Sequence, residues 1–210
     1  MKLFIFPVAP NPTRVRLYLA EKREGGATPD VEEVTVNLRE KEQNSPRHRL
    51  RNPLEKLPVL EIADGEYLTE SSAIIEYLEE LAPTPSMIGT DATARARTRE
   101  WDRIVEIGIL RPIVEIVHAT VSPLGLPPNP EVAAHCREQL SHLLDRVNER
   151  LADGRPMLMG DAASIADCTL AAALQFGRMG QVEIPASHEH IARWDRTFRQ
   201  RASAQQVLIM

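Results

Sequence analysis

The sequence predicts a two-part chain, an α/β unit followed by an all-helical one. Three observations carry that reading. Strand-like and helix-like patterns alternate over residues 1–82, strand signals stop there, and Pro83, Pro85 and Gly89 mark the change. The domains are therefore expected at 1–82 and 90–210.

Each element has its own signal. Leu3, Phe4, Ile5 and Phe6 form a short apolar run, as in a strand buried on both faces, and Pro7, Pro10 and Pro12 end it. Asn11-Pro12 reads as a helix start, with Asn as N-cap and Pro at the first helical position. Val15, Tyr18 and Leu19 recur at helical spacing as far as Arg23, and Gly25, Gly26 and Pro29 close that helix. Residues 34–38 alternate with period two, so a strand–helix–strand unit is complete, implying a right-handed crossover and a parallel pair. Residues 39–52 are polar, an exposed short helix or a loop. Residues 58–62 form a third strand, Asp64-Gly65 a tight hairpin turn, and Tyr67-Leu68 the start of a fourth strand. Ile74, Ile75, Leu78 and Leu81 then mark a helix. The sum is a small mixed sheet with helical cover.

Beyond residue 90 the period is helical throughout. Trp101, Ile104, Val105, Ile109, Ile113, Ile116 and Val117 fit one long helix with Pro112 as a kink. Asn129-Pro130 starts another, with Val132, Cys136, Leu140, Leu144, Val147 and Leu151 on one face. Ser164 and Asp167 make a capping box before the apolar stretch at 170–174, with Asp in place of the usual Glu. Ile191, Trp194 and Phe198 mark the last helix.

Composition narrows the function. The chain has 210 residues, 43% of them apolar, and 25 Lys and Arg against 30 Asp and Glu, a net charge of −5. There is no basic block, and only 4% of residues are aromatic, so neither the electrostatic footprint nor the stacking platforms of a nucleic-acid binder are evident. No apolar run approaches a membrane span or a signal segment, and two cysteines without a Cys-x-x-Cys pair fit a reducing cytosol, so a cytoplasmic protein is expected. Cys136 and Cys168 read as buried packing residues. His188 and His190 read as an exposed helix start rather than metal ligands, and His135 and His142 as solvent-facing.

Several segments together carry a resemblance. Leu57-Pro58-Val59-Leu60, Asn52-Pro53, Glu70-Ser71-Ser72-Ala73-Ile74 and the Ser164 to Asp167 box stand in the order and spacing of the glutathione transferase superfamily, from residue 1 to about 175. Each segment alone is weak; four in register are specific. The resemblance implies a thioredoxin-like N-terminal domain (βαβαββα), an all-helical C-terminal domain, a homodimer, and glutathione as co-substrate with no metal.

It also implies a site. A cis peptide before Pro58 would present the N–H and C=O of Leu57 to the cysteinyl peptide of glutathione like an added strand. The γ-glutamyl carboxylate would sit over Ser71 at a helix N-terminus, with Glu70 near the ligand's ammonium. Against this stands plain capping by Thr69. Gln43, Lys41 and Lys56 are candidates for the glycine carboxylate, or simply solvated. The family's Tyr, Ser or Cys beside the thiol falls on Ala9, which cannot serve. Asn11 is the best-placed polar side chain, and some bacterial and fungal members use Asn there; its alternative role is the N-cap. Arg95, Arg99, Arg103 and Arg111 share one side of the long helix. Arg103 or Arg111 could meet an anionic second substrate, or the stripe could face solvent or another subunit.

The function implied is attack of the glutathione thiolate on a small electrophilic or disulfide substrate. Two alternatives stay open: a glutathione-dependent disulfide reductase, and a non-catalytic binding module, which Ala9 would permit.

Overall fold

A computed structural model describes residues 1–26 and 30–209. Pro29, expected to help end the first helix, lies outside the described residues. In chain order the elements are β1 (Lys2–Ile5), α1 (Pro10–Glu24), β2 (Glu32–Thr35), a 3-10 turn (Glu42–Asn44), α2 (Pro46–Arg51), β3 (Val59–Ala63), β4 (Glu66–Thr69) and α3 (Ser71–Leu81). Then follow α4 (Ala92–Val105), a π-helical turn (Glu106–Leu110), α5 (Arg111–Val121), α6 (Pro130–Arg150), α7 (Ile165–Met179), α8 (Glu189–Arg199) and α9 (Ala202–Val207). No described helix is long and apolar enough to cross a membrane.

The sheet order is β2-β1-β3-β4, with β1 and β2 parallel and the other pairs antiparallel. The βαβ crossover and the hairpin at Asp64-Gly65 produce this order, and Gly65 takes the positive φ (75°) that the turn requires. Leu3 and Ile5 of β1 enter the main core, while Phe4 points to the opposite face and joins a small cluster with Val36 and Val59.

Two sequence expectations need correction at helix starts. The N-cap of α1 is Ala9, not Asn11: Pro10 already takes the first helical position, so the helix begins two residues earlier. Asn11 is thereby freed from capping. The cap of α3 is Glu70, not Thr69. The expected long helix runs from Ala92 to Val121 without a break but passes through a π turn, because Pro112 has no N–H to return to the preceding turn. The Arg111 N–H bonds back to the Glu106 carbonyl, and the ladder widens into one π turn. Gly108 lies inside that turn, where a Cβ would come within 2.3 Å of Leu143 Cγ on α6.

The caps at Asn129 (accepting from Val132 N–H, 3.2 Å) and the Ser164–Asp167 box form as the sequence indicates. The Asp167 carboxylate is fully buried and accepts from Leu158 N–H (2.8 Å), Ser164 N–H (2.9 Å), Ser164 Oγ (2.7 Å) and Trp194 Nε1 (3.1 Å). His188 departs from expectation. It is buried at the start of α8, with Nε2 3.0 Å from Asp145 Oδ1, because α8 folds back on α6.

The two parts of the chain meet on α1, which packs against α3 on one side and α7 and α9 on the other. Three charged residues of α1 are therefore buried and paired. Arg14 binds Asp102 of α4 through both carboxylate oxygens (2.9 and 2.8 Å). Glu21 receives Arg201 and Ser203 from the C-terminal end, and Lys22 pairs with Glu79 at 2.6 Å.

Candidate functional site

The sheet register brings three chain segments to one edge. Phe4 pairs with Val59, and Val59 with Thr69. The residues after β1, the Leu57-Pro58 peptide before β3, and Glu70-Ser71 after β4 therefore emerge side by side.

The Leu57-Pro58 peptide is cis. Its approach is clamped from behind: the Lys56 carbonyl accepts from Asn52 Nδ2 and lies 3.1 Å from His48 Nε2. His48 is buried on α2, and Ser45 caps that helix through His48 N–H (3.2 Å). Sequence reading missed His48. It lies in the polar stretch 39–52, whose expected short helix is exposed, whereas His48 is turned inward. Among the described residues, Leu57 makes no protein hydrogen bond that would occupy its N–H or C=O outside the sheet. The side chain of Lys56 is exposed.

Glu70 adopts φ 67° and ψ 118°, a conformation a non-glycine residue holds only against strain, and its side chain is exposed. The first helical hydrogen bond of α3 is Ile74 N–H to the Glu70 carbonyl, so the amides of residues 71–73 face the helix N-terminus unpaired. Ser71 is buried; its hydroxyl donates to Asn11 Oδ1 (3.4 Å) and lies 3.5 Å from Arg14 Nη1.

Asn11 thus stands at the second position of α1 and turns toward Ser71. With Oδ1 so engaged, its Nδ2 has no protein partner among the described residues. The surrounding backbone offers little else. Pro10 and Pro12 have no N–H, Ala9 N–H bonds Phe6 O, and Thr13 N–H bonds Ala9 O. Asn11 N–H is the one free amide of this helix start.

The remaining candidates are less central. Gln43 lies in the 3-10 turn, half-buried, with Oε1 buried and unpartnered. Arg103 is exposed but pairs with Glu106 (2.9 Å). Glu106 in turn reaches Arg14 (3.0 Å) and accepts from Ser72 Oγ (3.2 Å), which ties Arg103 to the same edge. Burial pushes the Glu106 carboxyl up, but Arg14 and Arg103 outweigh it and hold the group below its ordinary value. Arg111 is exposed at the start of α5. Arg99, from the same stripe, is committed to Glu76 (2.6 Å). Both cysteines are free and buried, and burial pushes their thiols up. Among the described residues, no His, Cys, Asp and Glu side chains group to hold a metal ion.

The edge therefore combines an unpaired strand-like peptide, a helix N-terminus and a free amide. It suits a peptide-like ligand with a carboxylate and an anionic atom. Comparison with known proteins identifies the family. The profile of the glutathione S-transferase N-terminal domain matches residues 3–86, and that of the C-terminal domain matches residues 113–202. Glutathione S-transferase 2 of Saccharomyces cerevisiae is 30% identical over 99% of this chain and 89% of its own length. GstA of Escherichia coli O157:H7 is 30% identical over 89% of this chain and 88% of its own. Among solved structures, yeast Gtt2 superposes with a TM-score of 0.88 at 30% identity, over 99% of this chain and all of the other. A glutathione S-transferase from Methylobacillus flagellatus, solved with GSH bound, gives 0.83 at 27% identity over 100% and 99%. With both domain profiles matched and a relative aligned along nearly its whole length, the chain belongs to the glutathione S-transferase superfamily.

Proposed function

We propose that this protein is a glutathione transferase that binds glutathione along the Leu57–Ser71 edge and directs its thiolate at a small electrophilic substrate. The observation that carries the reading is the strained Glu70 next to the unpaired start of α3, level with the cis Leu57-Pro58 peptide. The peptide backbone of Leu57 pairs with the cysteinyl unit. The amides at the start of α3 and the Ser71 hydroxyl, which turns to the ligand from its 3.4 Å contact with Asn11 Oδ1, hold the γ-glutamyl carboxylate, and Glu70 takes its ammonium. Gln43 and Lys56 lie toward the glycine end. Asn11 offers Nδ2 and its own N–H to the thiolate.

An amide cannot accept the thiol proton, so Asn11 acts only by stabilising the anion. A thiol of pKa about 8.5 is roughly 3% ionised at pH 7, and lowering it by about two units gives roughly 75% thiolate. A Brønsted slope of about 0.4–0.5 takes back about 6- to 10-fold of that 25-fold gain. Positioning of the electrophile must supply most of the acceleration. A second reading, disulfide reduction, is favoured by the same poverty of donors: its leaving group is itself a stabilised thiolate and asks less of the site.

We further infer a cytoplasmic homodimer. Leu50 and Leu54 are 82% and 62% exposed on and just after α2, an apolar surface suited to a second copy. Sedimentation at micromolar concentration tests this; a 23.5 kDa monomer would refute it.

Calorimetry with glutathione tests the central reading. A hydrogen bond to a charged group contributes about 1.5–3 kcal/mol, so Ser71→Ala and Glu70→Ala should each weaken binding roughly 10- to 150-fold. Absence of binding to the unmodified protein at millimolar glutathione would remove the proposal.

A further inference from the structure

The other face of the sheet carries a separate feature. Phe4, Val34, Val36 and Tyr67 line a cavity of about 810 Å³ between the sheet and α2. This is within the size of small-molecule sites, about 300–1,000 Å³. Phe4 and Val36 belong to the small apolar cluster that includes Val59 and is distinct from the main core.

Arg51, the last residue of α2, lies over Phe4 with its guanidinium carbon 3.9 Å from the ring centroid. It is half-buried, its Nε is fully enclosed without a hydrogen-bond partner, and no described carboxylate pairs with it. Arg47 lines the same cavity, also without an ion pair among the described residues. The neighbouring cations are committed: Lys2 to Glu61 (3.7 Å) and Arg49 to Glu55 (2.6 Å). The terminal guanidinium nitrogens of Arg51 are not enclosed and have no acceptor among the described residues, and a guanidinium fork matches a carboxylate. The opposite sign is also present. Glu32 and Asp64 line the cavity without cationic partners, and Glu42 is engaged by Asn37 N–H (2.6 Å). A second negative charge on a ligand would meet these carboxylates.

We propose that this cavity is a second ligand site, on the opposite face of the sheet from the Leu57–Ser71 edge, for a small aromatic monocarboxylate. The ring lies against Tyr67 beside the Arg51–Phe4 stack, and the carboxylate accepts from Arg51, with Arg47 adding charge. Calorimetric titration with 2-naphthoate, run with and without S-hexylglutathione, tests it. The expected result is one site per chain with the same affinity in both runs. Arg51→Gln should weaken binding about 10- to 100-fold while leaving S-hexylglutathione binding and thermal stability unchanged. Uncharged 2-naphthylmethanol and 2,6-naphthalenedicarboxylate should each bind at least about 10-fold more weakly than 2-naphthoate. No binding at millimolar 2-naphthoate, displacement by S-hexylglutathione, or equal affinity for Arg51→Gln would each overturn the proposal. The run without S-hexylglutathione keeps the outcome independent of the glutathione reading.

Discussion

Asp102→Asn probes the joint between the two parts of the chain. The side chains of Arg14 and Asp102 are 0% and 5% exposed, and Thr169 Oγ1 donates to the same carboxylate at 2.5 Å. Burial pushes the Asp102 carboxyl above its ordinary value even with Arg14 beside it. Desolvation therefore outweighs the attraction, and the pair is not a net source of stability compared with apolar residues. Breaking it is a different quantity, because Arg14 would stay buried without its bidentate acceptor. Removal of one partner of such a pair costs about 3–5 kcal/mol, and Glu106, still 3.0 Å from Arg14, places this case near the lower end. At about 2–4 °C per kcal/mol for a chain of this size, Tm should fall by about 6–12 °C in a thermal scan. The double variant Arg14→Met/Asp102→Leu should regain at least half of that loss. A shift below about 2 °C for Asp102→Asn, or a double variant less stable than the single one, would refute the reasoning.

Other outcomes follow from the same contacts. Asn11→Ala should lower kcat/KM by about 10- to 100-fold yet change stability by less than about 0.5 kcal/mol, since Asn11 does not cap α1. Asn11→Asp, which sets a charge against the thiolate, should be as poor a catalyst, and wild-type turnover would remove Asn11 from the mechanism. Asp167→Ala strands four buried donors at about 1–3 kcal/mol each, so urea unfolding followed by Trp194 fluorescence should show a loss of at least about 3 kcal/mol. Glu106 is held below its ordinary carboxylate value, so its contribution is complete above that value and disappears as pH falls through its lower folded value. The Tm difference between wild type and Glu106→Gln should therefore shrink on acidification from pH 6 to pH 3, and a constant difference would refute the assignment.

Local rules account for much of this protein. Helical spacing, Asp64-Gly65, Asn129-Pro130 and the Ser164–Asp167 box each act within a few residues, so the hairpin and most helices of the second half are readable directly, whereas β2 is Glu32–Thr35 and not the alternating stretch 34–38, because pairing with β1 sets its register. Glu70, Ser71, Leu57 and Pro58 were visible as a pattern of residue types. That they stand level with one another follows from the strand register, which long-range pairing sets. The sequence also carried a competition it could not resolve. Both Pro10 and Pro12 can open a helix, and the choice of Pro10 moved Asn11 off the cap and onto Ser71. The charges of α1 were opaque for a similar reason. Arg14, Glu21 and Lys22 look like a solvated face until α3, α7 and α9 close around the helix, and their partners lie 88, 180 and 57 residues away. A buried charge tells in a sequence only through its partner. Tertiary packing chose these partners, because a charge enclosed on every side must be met by another or not be enclosed at all.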